Sequence, residues 1–137
     1  MADVQEKNKE IVRRFNKVYV ETGDRAVYDE IVAPDFKNYV TENAEPGNRE
    51  EALQFYLAFQ SAFPDVEVVI QDQFAEGDVV VTRKAYKGTH SGPFMGIPAT
   101  NKRVSIAVID IIRLRDGQYA EHWGSADMMS LMQQLKG

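Results

Sequence analysis

Asp110, Glu121, His122, Trp123 and Asp127 fall close together near the end of this chain. Carboxylates so placed can take a proton from a carbon or water and return it, provided their surroundings move their pKa values toward neutrality. Whether they meet depends on the Asp116-Gly117 pair between two alternating apolar runs. Asp-Gly suits a type I′ hairpin turn, whose central residues both need φ > 0. Strands are therefore predicted over 103–115 and 118–126. With Asp116 and Gly117 as the only turn residues, Asp110 lies opposite Trp123. Side chains alternate with period two. One face then carries Val104, Ile106, Val108, Asp110, Ile112 and Leu114 beside Tyr119, Glu121, Trp123, Ser125 and Asp127, while Arg113 and His122 fall on the other.

A carboxylate in an apolar row must be neutralised, paired or used, because burying it charged and alone costs several kcal/mol. Asp110 is the foremost candidate. Desolvation and a neighbouring acid are expected to raise its pKa. Glu121 is one diagonal step away, roughly 7–8 Å between backbones. The structural alternative is an Asp110 carboxylate bonded to a tyrosine hydroxyl or to the Trp123 indole N–H.

The elements that must position these groups follow from periodicity. Val4, Ile11, Val12, Phe15, Val18 and Tyr19 predict an amphipathic helix over about residues 3–21, which Gly23 can end. Asp24 caps a second helix carrying Val27, Ile31 and Val32, stopped by Pro34. Residues 35–47 read as loop, where Phe36 and Tyr39 line a pocket or pin the loop to the core. Asn48 and Glu51 form a capping-box pattern ahead of a third helix, 48–63, whose stripe is Ala52, Phe55, Tyr56, Phe59, Ala62 and Phe63. Phe55 and Phe59 read as packing residues. Tyr56 brings a hydroxyl that seeks a ligand or an acid. From Asp65 the period shortens to two, giving strands 65–74 and 79–89 around Glu76-Gly77-Asp78. Arg83 and Lys84 point to opposite faces of the second of these, so one of them can enter the inner face. Met128, Met129, Leu131, Met132 and Leu135 form a C-terminal tail with one apolar side, padding a pocket or an interface.

The 137 residues, 44% hydrophobic, suit a single domain spanning 1–137. The absence of cysteine removes disulfides and thiol chemistry, and two histidines without metal-ligand spacing argue against zinc. A net charge of −5 with interspersed signs disfavours nucleic acid and anionic membranes as partners. MADVQEKNKE lacks an apolar signal core, so a cytoplasmic, soluble protein is expected. Helices followed by antiparallel strands indicate an α+β fold, a curved sheet whose apolar face is covered by helices around a cone-shaped cavity. Apolar walls with few polar groups describe a small-molecule pocket.

The run from Gly88 to Thr100, GTHSGPFMGIPAT, with Asp110-Ile111, Asp116-Gly117, Glu121-His122-Trp123 and Asp127, resembles the SnoaL-like polyketide cyclases of the nuclear transport factor 2-like superfamily. The resemblance covers nearly the whole chain. It implies a cone-shaped α+β barrel, a homodimer and no cofactor. It also implies aldol closure of an aromatic polyketide ester, with a pocket aspartate as acid–base helped by histidine. Asp110 and Asp127 are the candidates for that aspartate. His90 matches the Gly-Thr-His motif, with a turn-stabilising hydrogen bond as its alternative role. Trp123, Tyr39, Tyr56, Phe59, Phe94 and Met95 are the expected substrate contacts. Tyr39 stands where the family pattern carries a histidine after Pro-Asp-Phe, a departure that weighs against a histidine-assisted step.

Two further readings stay open. One is a non-catalytic dimer binding a hydrophobic ligand. The other is an epoxide hydrolase, dehydratase or isomerase, where epoxide hydration needs a carboxylate–cation–carboxylate set with Arg83 as the cation.

Overall fold

A computed structural model describes residues 3–39 and 45–136. Helix α1 (Val4–Arg14) starts where Asp3 Oδ1 accepts the Glu6 N–H at 2.8 Å, and it continues as a π-helical segment, Phe15–Val20. Then come α2 (Arg25–Ile31), β1 (Val32–Asn38), α3 (Arg49–Ala62), β2 (Glu67–Glu76), β3 (Val79–Thr89), β4 (Arg103–Arg115), β5 (Gln118–Ala126) and α4 (Met128–Lys136). The expected caps form. Asp24 accepts from Ala26 N at 3.1 Å, and Asn48 from Glu51 N at 2.9 Å. This is the α+β architecture anticipated from the element order.

The five strands make one mixed sheet in the order β1-β5-β4-β3-β2, antiparallel except for β1 beside β5. Strand β1 is a correction, because Val32 was expected in the second helix and residues 35–47 in a loop. Pro34 lacks an N–H and masks the strand in the sequence, yet an edge strand tolerates it. Residues 40–44 of the expected loop lie outside the described residues.

The Asp116-Gly117 turn forms as read, with φ of 53° and 76°. Leu114 pairs with Tyr119 as that turn requires. The register then shifts, so that Arg113 pairs with Glu121, Ile112 with His122, Ile111 with Trp123 and Asp110 with Gly124. Ala120 is the extra residue of a β-bulge, and every side chain beyond it changes face. His122 and Gly124 therefore share the inner face with Asp110, whereas Glu121 and Trp123 face outward. This overturns the expected Asp110–Trp123 pairing.

The inner face of β4 is the predicted row, with Val104, Ile106, Val108, Asp110, Ile112 and Leu114 all buried. The π-helical segment, α2 and α3 cover it with Phe15, Tyr19, Tyr28 and Leu53 at one end. At the other end Phe59, Phe63 and Phe94 pack with Leu131 and Leu135 of α4. Phe55, expected in the core stripe, is 53% exposed, so the buried stripe of α3 is narrower than its aromatic pattern.

Candidate functional site

Asp110 sits inside an ionic cluster that crosses the inner face of four strands. From β3, Lys84 Nζ stands 2.5 Å from Asp110 Oδ2. From β5, His122 Nε2 stands 2.7 Å from Asp110 Oδ1. The imidazole Nδ1 is 2.9 Å from Asn38 Oδ1 at the end of β1. Lys84 Nζ also donates to Asn16 Oδ1 at 2.7 Å, and Asn16 Nδ2 donates to Val12 O at 2.9 Å. Asn16 lies in the π-helical segment, a local geometry often found where a side chain has to be re-aimed at a site. The chain Asn16–Lys84–Asp110–His122–Asn38 thus ends in an amide on each side, and an amide can donate or accept.

Burial pushes the Asp110 carboxyl up, but Lys84 and the hydrogen-bonded His122 outweigh it and hold the group well below the usual carboxylate range. The raised pKa expected from the sequence is corrected here, because the neighbour is a cation and an imidazole rather than a second acid. The ionised carboxylate only accepts, so His122 Nε2 carries the proton of their shared hydrogen bond. Lys84 Nζ also lies 4.8 Å from the Tyr86 ring centroid.

Tyrosines surround this cluster. Burial pushes the Tyr56, Tyr86 and Tyr119 hydroxyls well above their usual value, and Asp110 adds to the shift at all three. They stay protonated and are hydrogen-bond donors. Tyr19 is pushed up to about 12, mainly by burial. The cation is Lys84, not Arg83, which is exposed on the outer face and paired with Asp72.

The remaining predicted residues do not join Asp110. Glu121 forms an ion pair with Arg113, Nε to Oε1 3.0 Å, on the outer face. Trp123 stacks on Tyr39 at 5.2 Å and 10° on that same face, with the Arg113 guanidinium 5.9 Å from its ring. Asp127 is exposed and caps α4 by accepting from Ser130 N at 3.0 Å. His90 is fully buried. Its Nδ1 accepts from Thr100 N at 3.2 Å and meets Thr100 Oγ1 at 3.0 Å, the turn-stabilising arrangement. Phe59 and Phe94 are buried against one another, and Met95 is exposed at φ 51°. Sequence reasoning left out Asn16 and Asn38 and placed His122 on the wrong face; the one signal available was Tyr119-Ala120, two small or apolar residues in succession that break the alternation. Among the described residues two shallow grooves open on the surface, one by Asp3, Val4 and Gly77 and one by Arg13, Lys17 and Val68, and Asp110 lines neither.

Helices covering one face of a curved, five-stranded mixed sheet make this a nuclear transport factor 2-like fold. The family profile described as SnoaL-like polyketide cyclase matches residues 9–135, and the chain belongs to that family. Among solved structures it is similar to IdmH from Streptomyces antibioticus, proposed to be a polyketide cyclase, at 29% identity and TM-score 0.83, covering 95% of this chain and 99% of that one. It is similar to a proposed SnoaL-like polyketide cyclase from Jannaschia sp. CCS1 at 27% identity and TM-score 0.89, covering 100% and 96%. An epoxide hydrolase of M. tuberculosis shares the fold at 15% identity and TM-score 0.75, covering 98% and 92%. No curated protein matches the chain. No described helix is long and apolar enough to cross a membrane.

Proposed function

We propose that this protein is a cofactor-independent acid–base enzyme of the cyclase type, acting on an apolar, carbonyl-rich precursor. The observation that carries this reading is a carboxylate buried in an apolar row and kept ionised by Lys84 and His122. Asp110 takes a C–H proton from a carbon flanked by two carbonyls. The resulting enolate carbon attacks a third carbonyl carbon further along the precursor, a C–C bond forms, and the C=O π electron pair moves to oxygen. That alkoxide recovers the proton from Asp110. A carboxylate held this firmly ionised is a weak base, so the substrate carbon must itself be acidic, and the protonated form is a correspondingly good donor to the alkoxide. The tyrosine hydroxyls of the inner face supply donors for substrate oxygens, and Phe59 and Phe94 supply apolar wall.

The reading includes a homodimer. Phe74, Val81, Ile111, Trp123 and Tyr39 make an apolar row across the outer face, and Phe74 is 63% exposed. A second reading, ligand binding without turnover, is favoured by one fact: both Asp110 oxygens already have partners.

The test is turnover of a panel of aromatic β-keto esters, followed by product mass and chromatography. Asp110→Asn should lower it roughly 10²–10⁴-fold with binding nearly unchanged. Full turnover by Asp110→Asn overturns the acid–base role. Binding without turnover by the wild type selects the second reading.

A further inference from the structure

Gly124 pairs with Asp110 across the β4–β5 ladder and lies one same-face step beyond His122. A Cβ built on it would stand 2.7 Å from Asp110 Oδ1, 2.8 Å from His122 Nε2 and 3.2 Å from His122 Cε1. Ordinary contacts to carbon begin at roughly 3.5 Å, so a methyl group there pushes directly on the two atoms that share the Asp110–His122 hydrogen bond. Backbone conformation does not call for glycine, since φ at Gly124 is outside the left-handed region that favours it. Glycine inside a strand also weakens it, and often marks a close approach. Here the close approach comes from side-chain ends. The strand itself can accept a larger residue; the Asp110–His122 contact cannot. Retreat of either group is opposed, because Asp110 is held by Lys84 and His122 by Asn38.

We propose that Gly124 is a positioning residue for the acid–base centre, its missing side chain being what lets the His122 imidazole lie over the strand and reach the Asp110 carboxylate. This rests on the reading of Asp110 as the proton acceptor. A side chain at position 124 parts the pair while leaving both titratable groups, Lys84 and the fold in place. The residue acts through the geometry of the other two and not on the substrate.

The test uses Gly124→Ala in the full chain with two independent readouts. The first is the imidazole N–H resonance of His122, assigned by its loss in His122→Gln. A proton donated to a carboxylate resonates far downfield, and in Gly124→Ala this resonance should disappear or move upfield. The second is the kcat and KM split on the β-keto ester panel. A displacement of this size should lower kcat roughly 10²-fold with KM within a few-fold. A resonance unchanged from wild type overturns the proposal, as does loss of the resonance with full kcat. If Asp110→Asn shows that the acid–base reading itself fails, the resonance still decides whether Gly124 sets the pair. Should Gly124→Ala not fold, Asp110→Ala/His122→Ala/Gly124→Ala, which removes both groups the added Cβ would meet, is the second arm, compared with Asp110→Ala/His122→Ala. A triple variant as stable as the double supports a clash with the pair, and a triple variant that still fails to fold where the double folds overturns the proposal.

Discussion

Replacing Lys84 with methionine isolates what the ionic cluster contributes to stability. Lys84 is 3% exposed and its only anionic contact among the described residues is Asp110, itself 8% exposed. Methionine fills much of the same volume without charge, so the change leaves a buried carboxylate with His122 and no lysine. Removing one partner of a buried pair costs about 3–5 kcal/mol, because the remaining charge stays desolvated. For a chain of 137 residues this lowers Tm by about 10–15 °C. The pH dependence has a definite sign. Lys84 and His122 hold the folded pKa of Asp110 below that of an unfolded aspartate, so its contribution is fully present above the unfolded value and is lost as pH falls toward the folded one. Without Lys84, burial raises the carboxyl pKa, and protonation at mildly acid pH relieves the stranded charge. The deficit of Lys84→Met should therefore be largest near pH 7 and shrink toward pH 4. Thermal and urea unfolding followed by circular dichroism at both pH values measures it. Lys84→Met/Asp110→Asn should recover at least half of the loss, since no buried carboxylate remains. A single variant as stable as wild type at pH 7, or a double variant no better than the single, would refute the reasoning.

Asp127→Ala removes the α4 cap and should cost about 1 kcal/mol while leaving turnover intact; abolished turnover would restore Asp127 as the acid–base aspartate. Phe59→Ala opens the junction of α3, β3 and the 89–102 crossing, where Phe59 touches Phe63, Tyr86 and Phe94, and should destabilise by about 3–5 kcal/mol in urea titration. Ile111→Glu places a charge in the middle of the outer apolar row and should convert a dimer to a monomer in sedimentation at micromolar concentration; a wild type that is already monomeric removes the dimer from the reading.

Much of the fold was legible because its signals are local. The two caps at Asp24 and Asn48, the Asp116-Gly117 turn and the alternation of Val104 to Leu114 each state their structure within a few residues. Strand β1 was not legible, because Pro34 argues against a ladder unless one knows that the strand is an edge. The polar partners of Asp110 were hidden for a different reason. Asn16, Lys84, His122 and Asn38 come from four separate elements, and only the assembled sheet and its covering helix bring them to one place.

The bulge at Ala120 decides the electrostatics around Asp110. With an unbroken hairpin, Asp110 would face Glu121 and Trp123, and two acids near each other in an apolar wall would drive both pKa values up. One extra residue replaces the acid by His122 and sends Glu121 outward to Arg113. The same apolar row that would have protonated Asp110 then meets Lys84 and an imidazole, and the carboxylate is held ionised instead. The bulge also turns Trp123, the largest side chain of the run, away from the interior, where Tyr39 covers it, and brings in Gly124, which has no side chain to compete for the space above Asp110. Sequence types alone therefore singled out the aspartate that the fold buries but gave it the opposite electrostatics, because the sign of a pKa shift depends on which face a neighbour occupies, and in a strand that face changes with every single-residue step.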